Sequence, residues 1–131
     1  MDELLFILGG VVFALGFIAC ARSLGPQREI GLYGIALIPT AAVYVVFALI
    51  EGMWSSLPVE LLGVVPFGGL GLAGVWRVPV LIVIGWAGHG GWDLVMAQKS
   101  AYVPPWYPIL CVGTDIFLAG YITALIWPRN A

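Results

Sequence analysis

His89 and Asp93 stand four residues apart in the stretch WAGHGGWDLV, residues 86–95, so on a helix they share one face. The next apolar stretch repeats the spacing with Tyr107, Cys111 and Asp115, and Tyr44 and Glu51, seven apart, align in the same way further upstream. An imidazole exchanges protons near neutral pH, and a carboxyl held away from water can serve as a general acid. His89, Asp93, Asp115 and Glu60 are therefore the candidate catalytic groups. Trp86, Trp92, Tyr107, Cys111, Tyr44 and Glu51 are candidate substrate contacts. One imidazole nitrogen with two or three carboxylates also suits a divalent metal, His89, Asp93 and Asp115 being the first choice of ligands. A lone histidine argues against zinc specificity.

The elements that must position these groups are membrane spans. Of 131 residues, 62% are hydrophobic and 9% charged, against about 25% charged in a soluble domain. A soluble domain this small has too little interior to hide so much apolar surface. A net charge of −2 with no basic cluster points away from nucleic acid. The acidic start, MDELLFILGG, lacks the positive opening of a secretory signal, so the first apolar segment reads as a retained span.

A span needs about 20 apolar residues. Five fit: 3–24, 30–51, 57–76, 78–98 and 107–127, separated by RSLGPQRE, EGMWSS, WRVP and QKSAYVPPW. The expectation is an all-α, polytopic helix bundle forming one domain over 1–131, in the cell membrane. Span three is the weakest, since Pro66 and its neighbouring glycines invite a break or a re-entrant path. Arg22, Arg28, Arg77 and Arg129 fall on one side of a five-span arrangement and Lys99 on the other, which predicts the N-terminus outside and the C-terminus cytoplasmic.

Depth sorts the ionisable residues. At about 1.5 Å per residue, Asp93 lies roughly 9 Å from Lys99, and Asp115 lies roughly 12 Å below the start of span five. Both are therefore at matching depth in the outer half, where His89, Glu51 and Glu60 also fall; the inner half is expected to hold none. A polar cavity roofed by the proline-stiffened SAYVPPWYP follows from this sorting. Ionisable groups in hydrocarbon cost a few kcal/mol each and usually mark function. The competing explanation is a polar lock, in which His89 bonds an aspartate and holds helices together. For Glu60 a simpler account also exists, because a first-turn carboxylate after Pro58 meets the helix dipole. For Glu51, at a span boundary, the competing account is a carboxylate that faces water.

Trp54, Trp76, Trp106, Tyr107 and Trp127 mark span ends, as an aromatic belt would. Glycines fill span three and surround His89, which predicts close packing of spans three and four. Cys20 and Cys111 belong to opposite leaflets, and no disulfide is expected.

The combination GHGGWDLVMAQ…VPPWYPILCVGTD resembles a group of small bacterial integral-membrane proteins of uncharacterised function. These carry H-x-x-W-D on one span and W-Y-P…C…D on the next. The likeness covers 86–115 and touches His89, Trp92, Asp93, Trp106, Tyr107, Pro108, Cys111 and Asp115. Members often place histidines where this chain has Met96 and Ala97. The resemblance implies a membrane bundle with this constellation, and no particular reaction.

Three functions compete. The first is a membrane-embedded enzyme using acid–base or metal-assisted chemistry on a lipid or isoprenoid-like substrate, since a five-span pocket can admit a hydrophobic chain sideways. The second is a structural or assembly subunit, with the cluster as glue and the glycine faces available to a homo-oligomer. The third is a proton or cation transporter, disfavoured by the lack of polar residues in the inner half.

Overall fold

The computed structural model describes residues 2–99 and 103–130, with side chains over 3–96 and 103–127. Five helices follow one another: α1 Asp2–Arg22, α2 Pro26–Ile50, α3 Leu57–Trp76, α4 Val80–Lys99 and α5 Trp106–Asn130. A short 3₁₀ turn, Trp54–Ser56, precedes α3, and no strand occurs among the described residues. α1, α2, α3 with its leading turn, and α5 are each long and apolar enough to cross a membrane. The apolar part of α4 within the described side chains, Val80–Met96, is shorter.

The punctuation explains the boundaries. Gly25 adopts a positive φ of 97° and passes the chain to Pro26, whose missing N–H costs nothing at the first helical position. Gly52, with φ 69°, turns the chain after α2. Pro58 opens α3 in the same way. α3 then continues through Pro66 without a break, so of the courses open to span three the structure takes the continuous helix over 57–76. α2 likewise continues through Pro39. Neighbouring helices can stabilise such proline-containing spans.

The helices pack in the order α1, α5, α4, α3, α2, forming an incomplete ring. Each short connection makes sequential neighbours antiparallel, and α1 therefore runs parallel to α5. Glycines set the closest approaches. At Gly10 a Cβ would run into the Leu110 carbonyl of α5, and at Gly113 into the Ile7 carbonyl of α1. At Gly71 it would strike the Gly34 carbonyl of α2, and at Gly74 Ile82 of α4. The span-three glycines thus serve two interfaces: Gly68 and Gly71 face α2, while Gly63 and Gly74 face α4. The tightest backbone contact of α3 is with α2, beyond the three–four packing expected from sequence. No such approach joins α1 to α2, and these two helices barely touch.

The buried core gathers at Leu37, Ile82, Trp86, Leu118 and Ile122, and a smaller cluster of Tyr44, Met96 and Val103 sits nearer the N-terminal end of the bundle. Trp54, Trp76, Trp106 and Trp127 are exposed at helix ends, where an interfacial belt would put them. Tyr107 does not join them: it packs edge-on against Tyr44 and Phe47. Both cysteines are free, Cys20 exposed and Cys111 buried.

Gly71→Val should drive its side chain into the α2 backbone and cost about 1–3 kcal/mol. Gly69→Val, where a Cβ meets nothing within 4 Å, should leave the thermal unfolding midpoint in detergent within the wild-type error. Equal midpoints for the two variants would contradict the packing described.

Candidate functional site

Helix periodicity assembles the site. α4 presents His89 and Asp93 on one face, α5 brings Asp115 from an antiparallel partner, and α2 supplies Tyr44. All four are essentially sealed from solvent, at 1% exposure or less. His89 Nδ1 lies 2.8 Å from Asp115 Oδ2 and 3.5 Å from Asp93 Oδ2. An ionised carboxylate can only accept, so with Asp115 ionised Nδ1 carries the hydrogen. Tyr44 donates its hydroxyl to Asp93 Oδ1 at 2.5 Å. The chain Tyr44–Asp93–His89–Asp115 thus links three helices. Phe67 of α3 meets the imidazole edge-on with ring centroids 5.0 Å apart. His89 Nε2 and Asp93 Oδ2 make no hydrogen bond among the described residues.

Glycine permits this crowding on α4. A Cβ at Gly88 would press on Phe67, and one at Gly90 on Ile116 and Asp115. One ligand atom each from His89, Asp93 and Asp115 can be chosen so that all lie within 4.8 Å of one another, a spacing a divalent ion can bridge.

The other expected site residues distribute as follows. Glu60 is buried with neither oxygen hydrogen-bonded among the described residues, and it is not part of the close three-residue group. Glu51 is exposed at the C-terminal end of α2. Trp86 donates its indole N–H to the Tyr33 carbonyl at 3.0 Å, tying α4 to α2, and its ring joins the core. Trp92 packs against Phe67 and the Gly63 backbone. Residues 100–102 of the expected roof lie outside the described residues. Within its remainder, Val103 is buried against the Tyr44 and Met96 cluster.

A cavity of about 330 Å³ adjoins the cluster. It differs from the polar chamber expected from sequence. Its walls are largely apolar, including Phe13, Phe17, Pro39, Val43 and Leu118, with Asp115, Tyr107, Cys111 and Thr114 along one side. Asp115, bonded to His89 through Oδ2, is also one of the residues that line this cavity.

A further buried carboxylate lies at the opposite end of the bundle, where no buried ionisable group was expected from sequence. Glu29 was assigned to the first loop by sequence, yet it lies in the first turn of α2, 4% exposed. Its Oε2 accepts hydrogen bonds from Tyr33 and Tyr121, each at 2.7 Å. Pro26 and the i,i+4 spacing of Glu29 and Tyr33 were the signals for it. Phe67, also missed, carries no polar signal and shows its role only once α3 is placed.

Comparison of this chain with protein-family profiles, curated proteins and solved structures finds no match.

Two measurements probe the site. His89 is the single histidine, so nitrogen-resolved NMR reports on it alone. The Nδ1 proton should resonate far downfield in the wild type and move upfield in Asp115→Asn; an unmoved signal would break the assignment. Tyr44→Phe should cost about 1–2 kcal/mol, the range for a lost interhelical bond and a stranded acceptor. Glu60→Leu, which removes a buried carboxylate that makes no hydrogen bond among the described residues, should raise the unfolding midpoint in detergent by the equivalent of about 1–3 kcal/mol; a lowered midpoint would mean that Glu60 is held by interactions beyond those seen.

Proposed function

We propose that this protein is a five-span integral membrane protein of the cell membrane, and that it acts as a small membrane-embedded enzyme. In this reading Asp115 exchanges a proton with a lipid or isoprenoid-like substrate. His89 holds and recharges that carboxyl through Nδ1. Asp93, fixed by the Tyr44 hydroxyl, supports the charge on the imidazole. The observation that carries this reading is the double position of Asp115, bound into a sealed ionisable cluster and also forming part of a cavity wall.

Energetics favour chemistry over glue. Inserting each ionisable side chain costs a few kcal/mol, whereas an interhelical hydrogen bond returns only about 0.6 kcal/mol on average. Apolar residues would hold α4 against α5 at less cost. Transport gains little from Glu29, because Leu37, Ile82, Leu118 and Ile122 pack in the core without polar atoms to relay a proton. The orientation follows the basic residues. Arg22, Arg28 and Arg77 belong to connections at the same end of the bundle, and the positive-inside rule makes that end cytoplasmic. The cluster then lies in the outer half. The resemblance to H-x-x-W-D membrane proteins covers the same residues that meet here.

The close grouping of His89, Asp93 and Asp115 supports a metal-assisted version of the same reading, in which these three would hold a divalent ion able to polarise a substrate oxygen.

The test compares lipid extracts, by mass spectrometry, from cells expressing the wild type, His89→Gln and Asp115→Asn. The expected result is a lipid species whose abundance shifts at least tenfold with the wild type and not with either variant, all three accumulating as folded protein. No difference among folded proteins would refute the enzyme reading. Loss of folding in both variants would assign the cluster to structure. Elemental analysis of the purified wild type, showing one divalent ion per chain that Asp115→Asn lacks, would select the metal-assisted version.

A further inference from the structure

Tyr44, His89, Asp93 and Asp115 are sealed at 1% exposure or less, so a proton that the cluster gives away has to be replaced across protein. Glu60 is buried to the same degree, and neither of its oxygens is hydrogen-bonded among the described residues.

The register of α3 against α4 gives Glu60 its place. The two helices run antiparallel, and their contacts recur every seven residues. A Cβ at Gly74 would meet Ile82, and the Phe67 ring meets the His89 ring with centroids 5.0 Å apart. Seven residues further toward the α2–α3 turn, the next pair in the series is Glu60 and Met96, both buried. The contact between Gly63 and Trp92 keeps the same register. A spacing of seven holds residues to one helix face, so Glu60 faces α4 at a level one turn beyond Asp93. At about 1.5 Å per residue, it stands roughly 4.5 Å past Asp93 along the axis and roughly 4.5 Å from the start of α3 at Leu57. The α2–α3 contacts, Gly34 with Gly71 and Ile38 with Gly68, bring Tyr44 within two residues of the same level. His89, Asp93 and Glu60 therefore rise in single turns toward the exposed Trp54 and the end of the bundle.

Two further observations give this series a direction. Asp93 accepts the Tyr44 hydroxyl through Oδ1 and leaves Oδ2 without a hydrogen bond among the described residues. That same Oδ2 lies 3.5 Å from His89 Nδ1, so a proton reaching Asp93 is one contact from the imidazole. The first-turn dipole accounts for a carboxylate at the rim of α3, but not for one buried with no N–H bonded to it. An isolated ionised carboxylate is far costlier to bury than the neutral acid, and such a position suits a group that carries a proton.

We propose that Glu60 is the proton port of the cluster, taking protons from water at the α2–α3 end of the bundle and passing them to Asp93 and His89. The Glu60 carboxyl gives its proton to an intervening water molecule, that water gives one of its own to Asp93 Oδ2, and Glu60 regains a proton from the aqueous phase. This deepens the enzyme reading, on which the need for a proton supply rests.

The test follows exchange of the His89 Nδ1 proton. Exchange needs no substrate, so it succeeds or fails separately from any lipid chemistry. Full-length protein labelled with ¹⁵N, in phosphatidylcholine vesicles, is transferred to D₂O, and NMR reads the decay of that signal. Glu60→Gln should slow the decay at least tenfold while the resonance stays in place. Glu60→Leu, which removes a carboxyl that nothing described holds, should do the same, and Glu60→Asp should restore most of the rate. The port is overturned if Glu60→Gln and Glu60→Leu exchange as the wild type does, or if the wild type does not exchange. It is also overturned if Tyr107→Phe slows exchange and Glu60→Gln does not, because the proton would then enter along the cavity wall. A resonance displaced in Glu60→Gln and Glu60→Leu as far as in Asp115→Asn would assign Glu60 to structure instead.

Discussion

Hydrocarbon offers no partner to a charge or a hydrogen bond, and the arrangement of this bundle follows from where its few ionisable groups find partners in one another. The contact between His89 on α4 and Asp115 on α5, at 2.8 Å, brings together two groups that would each be costly alone. It fixes the rotation of both helices: turning either away would direct a polar group toward acyl chains. Tyr44, reaching Asp93 from α2, extends that constraint to a third helix. Phe67 closes the remaining side of the imidazole from α3. Only α1 takes no part, and it is also the helix with the slightest hold on its sequence neighbour.

Much of this was legible in the amino-acid order. Five apolar runs separated by charge, proline and serine marked five helices, with ends within a few residues of those found. The i,i+4 spacing of His89 and Asp93, with Asp115 at matching depth on an antiparallel neighbour, was enough to place three ionisable groups together. What depth alone could not supply was rotation about each helix axis. Glu51 falls at a suitable height yet sits exposed beyond the helix end, whereas Trp86, bonded to the Tyr33 carbonyl, lines the cavity with Asp115. Glu60 shares the depth of the site but stands on a face of α3 where none of the described residues bonds to it.

Glu29 shows the opposite failure. A polar stretch beside Gly25 and Pro26 looks like a loop, but Pro26 begins α2 and commits Glu29 to the interior, where two tyrosine hydroxyls satisfy it. Polar composition marks a break between spans without saying on which side of the break each residue falls. Pro66 deceived in the other direction. Its helix-breaking tendency belongs to an isolated segment, and α3 is braced along both edges by close packing against α2 and α4.

The pairing of the first helix with the last has a consequence for biosynthesis. The hydrogen bond from Thr114 to the Gly10 carbonyl joins residues separated by 104 positions. At translation rates of about 5–20 residues per second, α1 emerges roughly 5–20 s before the surface it will rest on. Throughout that delay its glycine notch lacks the surface that fills it. The contact between α1 and α5 is therefore the close helix pairing whose two halves take longest to become available to each other.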